Sequence, residues 1–256
     1  MMIQDLYALG FGFVSGALIL MTGVGAGVIV VPGLIALFGL PPSLAIGTAS
    51  VFSVLTKIMA GLSHLREGNV SKPLFLSFGK LALPATLLAA LLVNGLLTAL
   101  PDARSTIQLS LKIAVIVAAA CAMALMFVRG ANDAMRRSGP YFLPIFSGLL
   151  IGATGVGGGV LIVPALMAAS SESVKRIIGT SVVLGLVLSI VTGMVYGAAG
   201  ALAWRTALLM TAGALIAMPL AGRLFKRASD QQVKILSATL IAIAIAGMLL
   251  DIFAKH

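Results

Sequence analysis

One segment of this chain occurs twice. A shift of 132 positions lays SGALILMTGVGAGVIVVPGLIA, residues 15–36, on SGLLIGATGVGGGVLIVPALMA, residues 147–168. The same shift lays IGTASV, 46–51, on IGTSVV, 178–183, and 18 of the 37 positions over 15–51 are identical with no gap. Apolar composition inflates chance matches, but it does not produce a shared Gly-Val-Gly-x-Gly-Val-x-x-Val-Pro frame. Solenoids need more copies, so a two-fold duplication of the kind used by membrane transporters fits best.

The surroundings of the repeat set its solvent. Hydrophobic residues make up 60% of the 256 and charged residues 9%, against roughly 45–50% and 25% in soluble domains. Mean hydropathy is +1.16. Too little polar surface exists to cover a soluble fold, which excludes water-soluble enzymes, nucleic-acid readers and disordered chains. The net charge of +10 lies in short basic runs between apolar stretches and suits lipid headgroups, not nucleic acid. A single thiol, Cys121, cannot form an internal disulfide and is read as packing. No cofactor and no metal is expected.

Apolar runs of membrane-spanning length occur at about 45–65, 74–97, 106–128, 174–198, 205–223 and 233–253. Residues 6–38 and 141–169 are apolar too, but are broken by GVGAG at 23–27 and GVGGG at 155–159. The piece after each break is too short to cross the hydrocarbon core. The spacing predicts an all-α polytopic membrane protein of two repeats. Each repeat holds a glycine-broken, re-entrant or discontinuous helix unit and three transmembrane helices. The repeats occupy 1–128 and 141–256, with a cytoplasmic linker at 129–140.

Basic residues discriminate between parallel and inverted repeats. If each broken unit crosses once, the sides hold seven basic residues each, with no orientation signal. If each unit returns to its own side, Arg66, Lys72, Arg129, Arg136, Arg137, Lys175, Arg176, Arg223, Lys226, Arg227 and Lys234 share one side. Only Arg104, Arg205 and Lys255 remain on the other. Eleven against three is a positive-inside bias, so the expectation is inverted repeats with both termini outside.

Several residues are candidates for a site. Irregular backbone at membrane depth is tolerated only where it is buried or lines a cavity. The clusters Gly23, Gly25, Gly27 and Gly155, Gly157, Gly159 precede short helices that begin near Val28 and Val160. The first N–H groups of such a helix, with its dipole, can bind an anion without a charged side chain. Close packing of small residues is the competing reading. Pro32 and Pro164 are expected to stop or kink these helices. Thr48 and Thr180, matched in the two IGT motifs, could donate a hydroxyl to an anion or bond to backbone. Lys57 lies deep in an apolar run, where an ammonium is costly and marks a functional hypothesis. Lys80 lies at similar depth on the next span; for both, snorkelling to the cytoplasmic face is the alternative. Lys112 reads as a snorkelling anchor. No carboxylate is placed inside a span in this reading.

The segments GVGAGVIVVP and GVGGGVLIVP, each followed by IGT, resemble the sulfite exporter TauE/SafE family over essentially the whole chain. The resemblance implies a multi-pass bacterial inner-membrane permease for sulfite, organosulfonates or related small sulfur-containing anions. Its partners would be that anion and the bilayer, with no nucleic acid; a homo-oligomer is compatible. Import, or facilitated passage of another anion such as thiosulfate, stays open. So does a non-transporting membrane scaffold, although a scaffold would explain neither the glycine breaks nor Lys57. A membrane enzyme would need a nucleophile–base pair or metal ligands, which two peripheral histidines and one thiol do not supply.

Overall fold

The structure, a computed structural model, describes residues 2–22, 26–127, 141–156, 161–225 and 230–254. Among these there are helices and no strand. The first repeat comprises α1 (Met2–Thr22), α2 (Ala26–Phe38), α3 (Pro42–Arg66), α4 (Lys72–Ala99) and α5 (Arg104–Phe127). The second comprises α6 (Phe142–Thr154), α7 (Ile162–Ala169), α8 (Val174–Ala198), α9 (Trp204–Phe225) and α10 (Asp230–Ala254). All six expected spans are helices with nearly the expected bounds.

Three helices among the described residues, Lys72–Ala99, Pro101–Ala124 and Val174–Ala198, are long and apolar enough to cross a membrane. A fourth is α3, if its parts Pro42–Ile58 and Ala60–Arg66, bent by 40°, count as one span. The corresponding apolar stretches of α9 and α10 are shorter, 204–217 and 238–253. Large apolar side chains such as Leu88, Leu92, Val117, Met194 and Leu250 face outward, a surface suited to lipid. Cys121 is exposed as well, on α5, which corrects its reading as a packed thiol. The chain is a multi-pass helical membrane protein.

The glycine-broken unit folds back on itself. With 13 residues, α2 extends about 20 Å at 1.5 Å per residue, short of the roughly 30 Å hydrocarbon core. It returns along α1: the Phe11 and Phe38 rings lie 5.8 Å apart and Gly33 abuts Phe11. Val28, Ile29, Val30, Val31 and Leu34 are all fully buried, so α2 is apolar all round because protein surrounds it. Pro32 does not stop this helix and sits inside it. Pro164 falls in the first turn of α7, where proline costs little because the early N–H groups have no helical partner.

Matched positions in the two halves use matched local chemistry. Gly68 and Gly200, 132 apart, both have positive φ, 70° and 72°. They end α3 and α8 in the same way. Asn69 N–H donates to the His64 carbonyl at 2.9 Å, and Ala201 N–H to the Tyr196 carbonyl at 2.8 Å, the six-to-one bond of a Schellman cap.

The halves interlock. Helix α1 packs on α9, and α6 on α4. Gly16 meets Ala214, and its repeat image Gly148 meets Ala82. Both pairs run parallel, since Gly12 meets Met210 and Gly152 meets Thr86. Small residues let these backbones approach closely. At the centre, α3 packs on its own repeat image α8. Here the register runs backwards: Gly47 meets Ala201, Ser53 bonds Ser189, Lys57 lies at Gly185 and Asn69 lies at Gly179. Equivalent helices thus cross antiparallel. Arg66, Lys72, Lys175 and Arg176 therefore gather at one end. At the other, Arg205 pairs with Asp5 at 2.7 Å, and Ser43 N–H donates to Gln108, one turn from Arg104 on α5, at 3.2 Å.

Candidate functional site

The antiparallel crossing of α3 and α8 places Ser53 opposite Ser189 and Lys57 opposite Gly185. Because 53 + 132 is 185 and 57 + 132 is 189, these are two images of one contact. One image is a hydroxyl pair, with Ser189 donating to Ser53 at 3.1 Å. In the other, the Lys57 ammonium occupies space that any side chain at 185 would fill: a Cβ there would sit 2.9 Å from Nζ.

Lys57 is buried, at 9% exposure, and has no carboxylate or hydrogen-bond partner among the described residues. It lines a small cavity with Ser50, Ser53 and Ser189 on one side and Gly27 and Gly155 on another. The Ser50 hydroxyl donates to the Ile46 carbonyl at 2.8 Å. Ser53 accepts from Ser189, which leaves its own proton free to donate. The cavity measures about 10 Å³, room for about one water. The cavity as it stands is too small for an oxyanion.

The two glycine breaks meet at this cavity. A Cβ at Gly27 would overlap the Gly155 carbonyl oxygen. Gly155 itself has φ +66°, ends α6 and donates its N–H to Ile151 at 2.8 Å. Glycine is therefore required twice, once for contact and once for conformation. Gly27, in the first turn of α2, lines the cavity, and Val28 follows it in the same turn. Gly23, Gly25, Gly157, Gly159 and Val160 lie outside the described residues.

The other sequence candidates lie elsewhere. The Thr48 hydroxyl donates to the Leu44 carbonyl at 2.7 Å and accepts from Ala203 N–H at 3.0 Å. The Thr180 hydroxyl donates to the Arg176 carbonyl at 2.6 Å and accepts from Ser71 N–H at 2.9 Å. Ser71 and Ala203 are again 132 apart and immediately precede α4 and α9. Each threonine thus holds the start of a helix in the other half, and neither lines the cavity. Lys80 is exposed on the outer face of α4. Lys112, read as a snorkelling anchor, is paired with Asp251 between α5 and α10. Gly185 and Ser189 were not singled out as site residues, although they are the repeat images of Ser53 and Lys57.

The threonine bonds carry a measurable load. Thr48→Val or Thr180→Val keeps the shape and leaves a backbone N–H, half-buried at Ala203 and buried at Ser71, without its acceptor, which costs up to about 1–3 kcal/mol. Each variant is expected to melt earlier in detergent, and Thr→Ser at the same position to recover most of the loss. Equal melting of the valine and serine variants would show the bonds to be dispensable.

Short helices that follow glycine breaks and meet where two sequence repeats pack together fit the pattern of a membrane carrier. The sulfite exporter TauE/SafE family matches residues 8–248, and the chain belongs to that family. It is also 24% identical over 248 residues to the "Probable membrane transporter protein YjnA" of Bacillus subtilis strain 168, covering 91% of this chain and 95% of that protein. No solved structure matches. The chain is therefore a member of a membrane transporter family.

Proposed function

We propose that this protein exports a small sulfur-containing anion, sulfite or an organosulfonate, across a bacterial inner membrane. The observation that carries the reading is Lys57, an unpaired buried ammonium facing serine hydroxyls where the two glycine breaks meet. Such a charge in a membrane interior needs a mobile counter-ion or a water-filled cavity. An anion entering from the cytoplasm satisfies it, with Ser53 and the α2 N–H groups as further donors. Over the whole cycle, net export of the anion is favoured by about 2.3 kcal/mol per charge per 100 mV of inside-negative potential.

The arrangement we propose is two inverted repeats, 1–128 and 141–256, joined by a cytoplasmic linker at 129–140, with both termini outside. Support comes from the antiparallel crossing of α3 and α8, the return of α2 along α1, and the gathering of Arg66, Lys72, Lys175 and Arg176 at one end. A reporter active only in the cytoplasm should be silent when fused at residue 256 and active within 130–138. A bright fusion at 256 would overturn this topology.

The functional test is flux of labelled sulfite, sulfonates and thiosulfate from proteoliposomes under imposed potential and pH gradients. Efflux of at least one of these anions, faster with the inside negative, is expected. Absence of flux for all of them would remove the transport reading. Faster uptake than efflux at equal driving force would make the protein an importer.

A further inference from the structure

We infer that the Lys57 pocket selects singly charged oxyanions over doubly charged ones of the same size. The inference rests on the proposed transport of anions and concerns the charge that the site can hold. Among the described residues, Lys57 is the one charged side chain lining the cavity; the other lining groups are serine hydroxyls, apolar side chains and glycine backbone. The ion pairs Lys112–Asp251, Arg176–Glu172 and Arg205–Asp5 lie away from the cavity and lend it no further cation.

The repeat explains why there is one charge and not two. Duplication doubled the backbone of the site, but the image of Lys57 is Ser189. A symmetric site would carry two ammonium groups and suit a dianion. This one becomes neutral when a monoanion binds. A dianion would leave a net negative charge desolvated between α3 and α8, which is heavily penalised. The N-terminal end of α2 supplies about half a positive charge, less than the second unit a dianion requires. The hydroxyls help little more, since Ser50 and Ser189 already donate within the protein.

The same charge count locates the voltage-sensitive step. A loaded site is neutral and crosses the field without work. The empty site carries the positive charge of Lys57, and an inside-negative potential draws it back to face the cytoplasm. Net export is then electrogenic, while exchange of one monoanion for another is not.

The test uses the whole chain in proteoliposomes with methanesulfonate and sulfate, which are nearly the same shape and differ by one charge. Sulfate flux is expected to be at least about a hundredfold slower, the size of penalty an uncompensated buried charge brings. Sulfite, which takes up a proton near neutral pH, should move faster as the medium is acidified, while methanesulfonate flux stays level. Any titration of the protein itself would appear in the methanesulfonate flux. Methanesulfonate exchange should ignore an imposed potential that accelerates net efflux. Sulfate within about tenfold of methanesulfonate, a sulfite flux that rises with pH, or voltage-sensitive exchange would overturn the inference. Carriage of both anions at similar rates would leave the transport function standing; carriage of none would remove that function and this inference together.

Discussion

Lys57→Met is expected to reduce anion flux by about a hundredfold or more while leaving the protein folded. Methionine has nearly the length of lysine and no charge. Burying the unpaired ammonium works against folding, at about 2.5–3.5 kcal/mol for a lysine at the centre of a membrane helix. Its removal should therefore leave the melting temperature in detergent unchanged or raised. Loss of function with gain of stability is the signature of a residue retained for a ligand, and a packing residue would lose both. Lys57→Arg is expected to fail as well. The ammonium is held where only the absence of a side chain at Gly185 makes room, and the cavity beside it is about 10 Å³. A planar guanidinium is larger and presents its donors in a fork. If Lys57→Met carried substrate with unchanged rate and affinity, Lys57 would be a snorkelling residue. The site would then reduce to the glycine breaks and their hydroxyl neighbours.

Gly27→Ala is expected to destabilise the fold by about 3 kcal/mol or more. The added methyl would overlap the Gly155 carbonyl oxygen, which belongs to backbone and cannot rotate aside. Relief requires the α1–α2 hairpin to withdraw from α6, which opens the junction between the halves. Gly155→Ala should be nearly as damaging. Its Cβ would press on Val31 and Ile46 at 3.1 and 3.2 Å, in a left-handed conformation that side chains disfavour. Gly10→Ala is the control, since nothing lies within 4 Å of a Cβ there. It should be neutral or gain up to about 1 kcal/mol from helix propensity. Thermal unfolding in detergent reads all three. Equal melting of Gly27→Ala and Gly10→Ala would mean that the two breaks do not touch in the folded protein.

Much of this was legible in the chain because the bilayer imposes coarse, strong rules. Apolar runs near 20 residues can only become helices there, since backbone groups must be satisfied within the segment. The six expected spans accordingly match α3, α4, α5, α8, α9 and α10. The duplicated glycine frame marked where helices would break and where the halves would meet. The depth of Lys57 in an apolar run marked it before any contact was visible. Of the two outcomes expected for Pro32, a stop or a kink, the stop is excluded, because α2 continues past it.

Sequence alone thus determined the solvent, the helix count of each repeat, the duplication and the position of one costly charge. Which way a residue faces was left to the tertiary structure. In water an apolar stripe identifies the inner face of a helix, but in lipid the inner and outer faces are both apolar, so Lys57 and Lys80 look alike in sequence. Packing separates them: α3 turns Lys57 onto α8, whereas α4 turns Lys80 outward. The partners of Lys57 were hidden for the same reason. Gly185 and Ser189 lie more than 120 residues away, and only the antiparallel crossing of two equivalent helices puts one beside the ammonium and the other against Ser53.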